Sequence, residues 1–191
     1  MGRLSSVKRG YDIVTIAPTV SSGGHVTGDV VFNLTEVKLP SSACALTSVF
    51  LHAAGLGNNQ KLSFSLEAQK MGLLFFKKNT QPTLGTLNAT ADISASDFVS
   101  NEFIGHTCII ANPGFPVKTT LSDVGFMFPS SNNTGFGVDR GEQGSVFEKL
   151  VVKGSGDNIV YVAGVIHKGY QFYPLDFGAT DNVKIHFHFE Y

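Results

Sequence analysis

Apolar residues fall on every second position of Lys61–Ala68: Leu62, Phe64, Leu66 and Ala68 on one face, Lys61, Ser63, Ser65 and Glu67 on the other. Side chains alternate across a strand, so this period predicts a half-buried antiparallel strand. The same parity closes the chain, where Ile185, Phe187, Phe189 and Tyr191 form an apolar face opposite Lys184, His186, His188 and Glu190. Strand-like runs also cover 12–16, 28–39, 44–53, 107–111, 119–128, 145–153, 158–167 and 182–191, mostly stopped by Gly, Pro or Asn. Gly154-Ser155-Gly156-Asp157 predicts a hairpin between two of them. The single helical signal is Ser94 with Asp97 three residues on, a capped turn over 94–99. About nine or ten short strands with turn punctuation predict an all-β, single-domain antiparallel β-sandwich, jelly-roll-like. Residues 1–10 form a flexible N-terminal arm ahead of the domain at 11–191.

Composition narrows the function. Only 15% of the residues are charged, 16 are Phe and none is Trp, which leaves neutral surface for neighbouring subunits to cover. A net charge of −1 gives no general attraction to nucleic acid or anionic membrane. The apolar run Met71–Phe76 is far shorter than the roughly 20 residues of a membrane helix. The polar, basic start of the chain lacks the apolar segment of an export signal, which predicts synthesis in the cytoplasm. On that reading the glycosylation-like triplets at Asn33, Asn88 and Asn132 are chance, and Cys44 and Cys108 are small buried hydrophobes, with a disulfide as the alternative.

Catalytic motifs are missing from the sequence. It has no HExxH, no GxSxG elbow, no phosphate loop and no calcium loop. The best metal candidate is the pair His186 and His188, which share a strand face; a working site needs a third ligand from elsewhere, and Lys184 on the same face opposes a cation. A polar stripe facing solvent or a neighbour is the preferred reading. No enzyme activity and no cofactor are expected. Arg3, Lys8 and Arg9 in the arm give at most weak, salt-sensitive phosphate binding, and docking on an acidic protein neighbour suits them better. The Gly-, Ser- and Asn-rich stretch 129–144 is too long for a tight turn and has the length of a functional loop.

Four stretches occur in a recognisable order: GHVTGDVVFNLTEVKLP, CALTSVFLHAAG, PTLGTLNATADISASDF and YQFYPLDFGATDNVKIHFHFEY. The chain resembles a family of small virion structural proteins of tailed bacteriophages, especially marine and cyanobacterial ones, some of which are capsid decoration or cement proteins. The matching pieces are Gly28-Asp29, Leu84–Ala89, Ser94–Phe98 and Thr180–Val183. The resemblance implies a β-sandwich subunit without catalysis, located on the outer surface of the virion and bound to the major capsid protein. The expected assembly is a symmetric homo-oligomer, a trimer first and a dimer second, with no nucleic-acid or membrane partner. The arm residues Arg3, Lys8, Arg9 and Tyr11, with Phe136 and Arg140 in the long loop, are the candidate interface. A head- or tail-fibre module that binds a receptor or glycan through aromatics such as Phe136 or Tyr170 is the main alternative. A cupin-like metalloenzyme using the terminal histidines is the lesser one.

Overall fold

A computed structural model describes residues 9–21, 24–54, 70–110, 124–127, 150–168, 175–176 and 183–191. The strands are β1 (Tyr11–Ile16), β2 (Gly24–His25), β3 (Val30–Lys38), β4 (Ala43–Ala54), β5 (Lys70–Phe76), β6 (Phe103–Ile110), β7 (Val124–Met127), β8 (Leu150–Lys153), β9 (Ile159–Lys168), β10 (Leu175–Asp176) and β11 (Val183–Glu190). One short helix, α1 (Ala95–Ser100), lies between β5 and β6. The protein is therefore all-β apart from a single helical turn among the described residues. That helix is not long and apolar enough to cross a membrane.

Pairing is nested. The outermost strands β1 and β11 pair with each other, then β3 with β9, β4 with β7 and β8, and innermost β5 with β6, all antiparallel. The pairs β11–β4 and β9–β5 then join this nest into two sheets. The first runs β1-β11-β4-β7, with β8 also on β4, and the second runs β3-β9-β5-β6. β4 reaches both partners because it is long: Ala43–Leu46 pair with β8 and Leu51–Ala54 with β7.

Both sheets feed one hydrophobic cluster. Val49, Val183, Ile185, Phe187 and Phe189 come from the first sheet, and Val31, Val37, Leu73, Phe75, Val160 and Val162 from the second. Phe75 and Phe187 meet edge to face across it, ring centroids 5.8 Å apart. Burying each such ring contributes roughly 1.5–3 kcal/mol. The expected parity of β11 holds for Ile185, Phe187 and Phe189, but not for Tyr191, which is 45% exposed. Tyr191 lies beyond the last core row; its backbone exchanges hydrogen bonds with Gly10 and its ring covers that glycine. The ladder thus already includes Gly10, which the sequence placed in the arm.

One other expectation is corrected, and one strand was not foreseen. Gly154–Asp157 does not close a hairpin, because β8 pairs with β4 in the first sheet and β9 with β3 and β5 in the second. The turn carries the chain between sheets and is anchored by Gly154 N–H to the Ser42 carbonyl and by Leu39 N–H to the Asn158 carbonyl. Met71–Phe76, noted in the sequence only as an apolar run, lies in an inner strand between β9 and β6. Both its faces are covered, so its sequence shows no alternation. The predicted strand at 61–68 and the loop at 129–144 lie outside the described residues.

The outer face of the second sheet is covered by the chain itself. Residues 77–102, which lead from β5 to β6, lay Leu84, Leu87, Ile93 and Phe98 over Val30, Phe76, Ala163, Tyr161 and Phe103. Phe98, Phe76 and Phe103 form a tight aromatic trio. Two asparagines hold this segment by imitating backbone. Asn33 accepts from Leu84 N–H and donates to the Gly85 carbonyl, and buried Asn101 does the same with the N–H and carbonyl of Gln81. Asn33 is therefore committed to the fold and not presented for a glycan. The expected capping box is present, with Ser94 as N-cap and Asp97 returning the bond. The backbone and hydroxyl of Ser94 hold the Asp97 carboxyl below its ordinary range. By linkage, this cap contribution is present above the ordinary carboxylate pKa and is lost as pH falls through the lowered one.

Gly164 faces Phe32 across the β3–β9 pair, and a Cβ there would collide with the Phe32 ring, whereas a Cβ at Gly156 meets nothing within 4 Å. Gly164→Ala should destabilise the protein by ~1–3 kcal/mol in urea denaturation, and Gly156→Ala should change stability little.

Candidate functional site

Antiparallel register places opposed residues on the same face of a sheet. In the first sheet Tyr11, Glu190, Ala45 and Val151 form one outward row, Ile13, His188 and Ser48 the next, and Thr15, His186 and Phe50 a third. Of the four large apolar side chains on it, Tyr11 is exposed by 66%, Ile13 by 56% and Val151 by 62%, and Phe50 is half-buried. Among the described residues no segment covers this face as 77–102 covers the second sheet.

Local contacts fix the polar side chains within it. Thr15 Oγ1 and His186 Nδ1 are 2.8 Å apart. The His188 ring lies 4.8 Å from that of Phe50, tilted by 56°. A bulge interrupts the β11–β4 register at His188/Phe189, and the extra residue, Thr47, donates its hydroxyl to the His188 carbonyl at 2.9 Å. Formal charge is confined to the ends of the face. Arg9 donates to Glu190 at 3.1 Å, with Lys153 near that end; Lys184 is exposed at the other and makes no ion pair among the described residues.

β1 is an edge strand of this sheet. Gly10 and Tyr191 exchange both their hydrogen bonds, so the alternation of an antiparallel ladder turns the N–H groups of Tyr11, Ile13 and Thr15 away from β11. Asp12 Oδ1 accepts the Ile13 N–H at 2.8 Å. A carboxylate seated there obstructs the addition of another strand.

The histidine pair lies on this face. No group of three or more His, Cys, Asp or Glu side chains is placed to hold a metal ion among the described residues. Cys44 is a buried free thiol, pushed above its ordinary pKa by burial, which makes it a packing residue and a poor nucleophile. Of the candidate interface residues, Arg9 and Tyr11 come together with His186 and His188. Arg3, Lys8, Phe136 and Arg140 lie outside the described residues, as does Tyr170. Sequence reasoning placed Lys184 and Glu190 on this face with the histidines but missed Ile13, Thr15, Phe50 and Val151. A signal existed in β1, which carries apolar residues at both parities, Tyr11 and Ile13 on one and Val14 and Ile16 on the other.

The two parities of β11 should respond oppositely to truncation. Phe187→Ala should cost ~3–5 kcal/mol by leaving a cavity, while His186→Ala combined with His188→Ala should remain folded with a loss of about 1 kcal/mol or less. Denaturant titration of the purified variants checks both.

No protein-family model matches the chain, and no curated protein matches it either.

Proposed function

We propose that this chain is a non-enzymatic structural subunit of a bacteriophage virion, a decoration (cement) protein that binds and reinforces the outer capsid surface as a symmetric homo-oligomer. Its fold on this reading is a jelly-roll-like β-sandwich. The nested pairing supports that architecture, since a long antiparallel ribbon rolled on itself gives two sheets ordered β1-β11-β4-β7 and β3-β9-β5-β6.

The observation that carries the assembly reading is the unequal covering of the two sheets. The chain uses residues 77–102 to bury the outer face of the second sheet. It leaves Tyr11, Ile13 and Val151 exposed on the first, with charges only at the ends. Exposed large apolar side chains that the chain leaves open on one sheet suit contact with a neighbouring protein. The resemblance to tailed-phage virion proteins supplies the partner, the major capsid protein, with the arm and the 129–144 loop as the segments that reach it. Many modest contacts to adjoining capsomers would act together through effective concentration.

Quantitative mass spectrometry of purified virions of the encoding phage tests this reading. Copy numbers comparable to the major capsid protein are expected; a few tens of copies would indicate a tail or vertex component, and absence from the virion would overturn the reading.

A further inference from the structure

We propose that residues 77–102, the cover of the second sheet, are a strap that lifts and closes as one unit while both sheets beneath it stay folded. This conformational device goes beyond the capsid reading and does not rest on it.

The strap has a packing cluster of its own. Leu84, Leu87, Ala91, Ile93 and Phe98 pack with Val30, Phe76 and Ala163, and none of them belongs to the core cluster that joins the two sheets. Lifting the strap therefore leaves Phe75, Phe187 and their neighbours packed. It is also held lightly. Of residues 77–102 only Leu84 and Asn101 are fully buried, and no residue of α1 is. Segments with so little buried apolar surface are the ones that open locally at low cost.

The polar anchors fall into a hinge and a clasp. At the hinge the two ends of the strap are tied to each other, so these bonds need not break when it lifts. The N–H groups of Lys77 and Lys78 donate to the Asn101 carbonyl at 3.1 and 2.9 Å, and the Asn101 side chain holds Gln81. The Glu102 carboxylate accepts from the ammonium groups of both lysines. Residues at the ends of elements absorb the rotation of a hinge, and Glu102, next to β6, has the left-handed φ of 51° that side chains seldom adopt.

At the clasp, residues 84–91 are tied to residues 28–33 at the start of β3. Leu84 and Gly85 bond the Asn33 side chain, Asn88 N–H donates to the Val30 carbonyl at 2.9 Å, and Ala91 N–H donates to the Gly28 carbonyl at 2.8 Å. These groups turn to water once the strap lifts, so the clasp adds only a modest net resistance. Opening bares Val30, Phe76 and Ala163, which the closed strap shields from non-specific association.

Native-state hydrogen exchange of the full chain, read amide by amide, provides the test. The N–H groups of Leu84, Asn88, Ala91 and Asp92 should report one shared opening, roughly a hundredfold more frequent than that of the ladder amides of β5 and β9 beneath them. Asn33→Ala removes the acceptor of the Leu84 N–H and should favour that shared opening about tenfold further, with the amides of β5, β9 and β11 unchanged. Strap amides as slow as those of β5, strap amides that open independently of one another, or a variant in which every amide accelerates alike would each overturn the inference. If the variant does not fold, the wild-type rates alone decide.

Discussion

The structure depends on the two-sidedness of β11. This strand lies between β1 and β4 and alternates at every step. Ile185, Phe187 and Phe189 anchor the first sheet in the common core, and their neighbours His186, His188 and Glu190 build its outer surface. A one-residue slip would put three large apolar side chains into solvent and two imidazoles and a carboxylate into the core, so register is strongly enforced. The same enforcement fixes the outer rows, because whatever opposes β11 on β1 and β4 must share their face. Thr15 beside His186 and Phe50 beside His188 follow from the packing of phenylalanines on the other side.

Nesting gives this arrangement its long range. The first and last described strands are partners, and the ion pair between Arg9 and Glu190 joins residues 181 positions apart. Closing such pairs late is slow, as in other folds dominated by non-local strand pairing. The innermost pair, β5 and β6, is joined by residues 77–102, which turn the connection into the cover of the second sheet. The two asparagines that secure it satisfy backbone groups that would otherwise be buried without partners, a costly condition. The cover spends the chain's own apolar residues on the second sheet.

Local features of this architecture were legible in the sequence, and features set by distant partners were not. Ser94 and Asp97 announce their helix because a capping box needs only four consecutive residues. The core parity of β11 is equally local. Gly154–Asp157 looks like a hairpin because its turn chemistry is genuine, yet the destinations of β8 and β9 are set by β4 and by β3 and β5, far away in sequence. β5 shows no alternation because both its faces are covered, one of them by a segment that follows it. The candidate face was the least legible part. Tyr11 and Arg9 were found from their place near the chain start, but Phe50 and Val151 join them only through register across β4, β8 and β11.

On the proposed reading, the exposed side chains Tyr11, Ile13 and Val151 of the first sheet become covered on assembly. Hydroxyl-radical footprinting read by mass spectrometry, comparing dilute with assembled protein, tests that claim most directly. The account predicts loss of oxidation at Tyr11, Ile13 and Val151 on assembly, with Val99, 77% exposed on α1 over the second sheet, labelled equally in both states. Protection of Val99 with Tyr11 and Ile13 unchanged would contradict it.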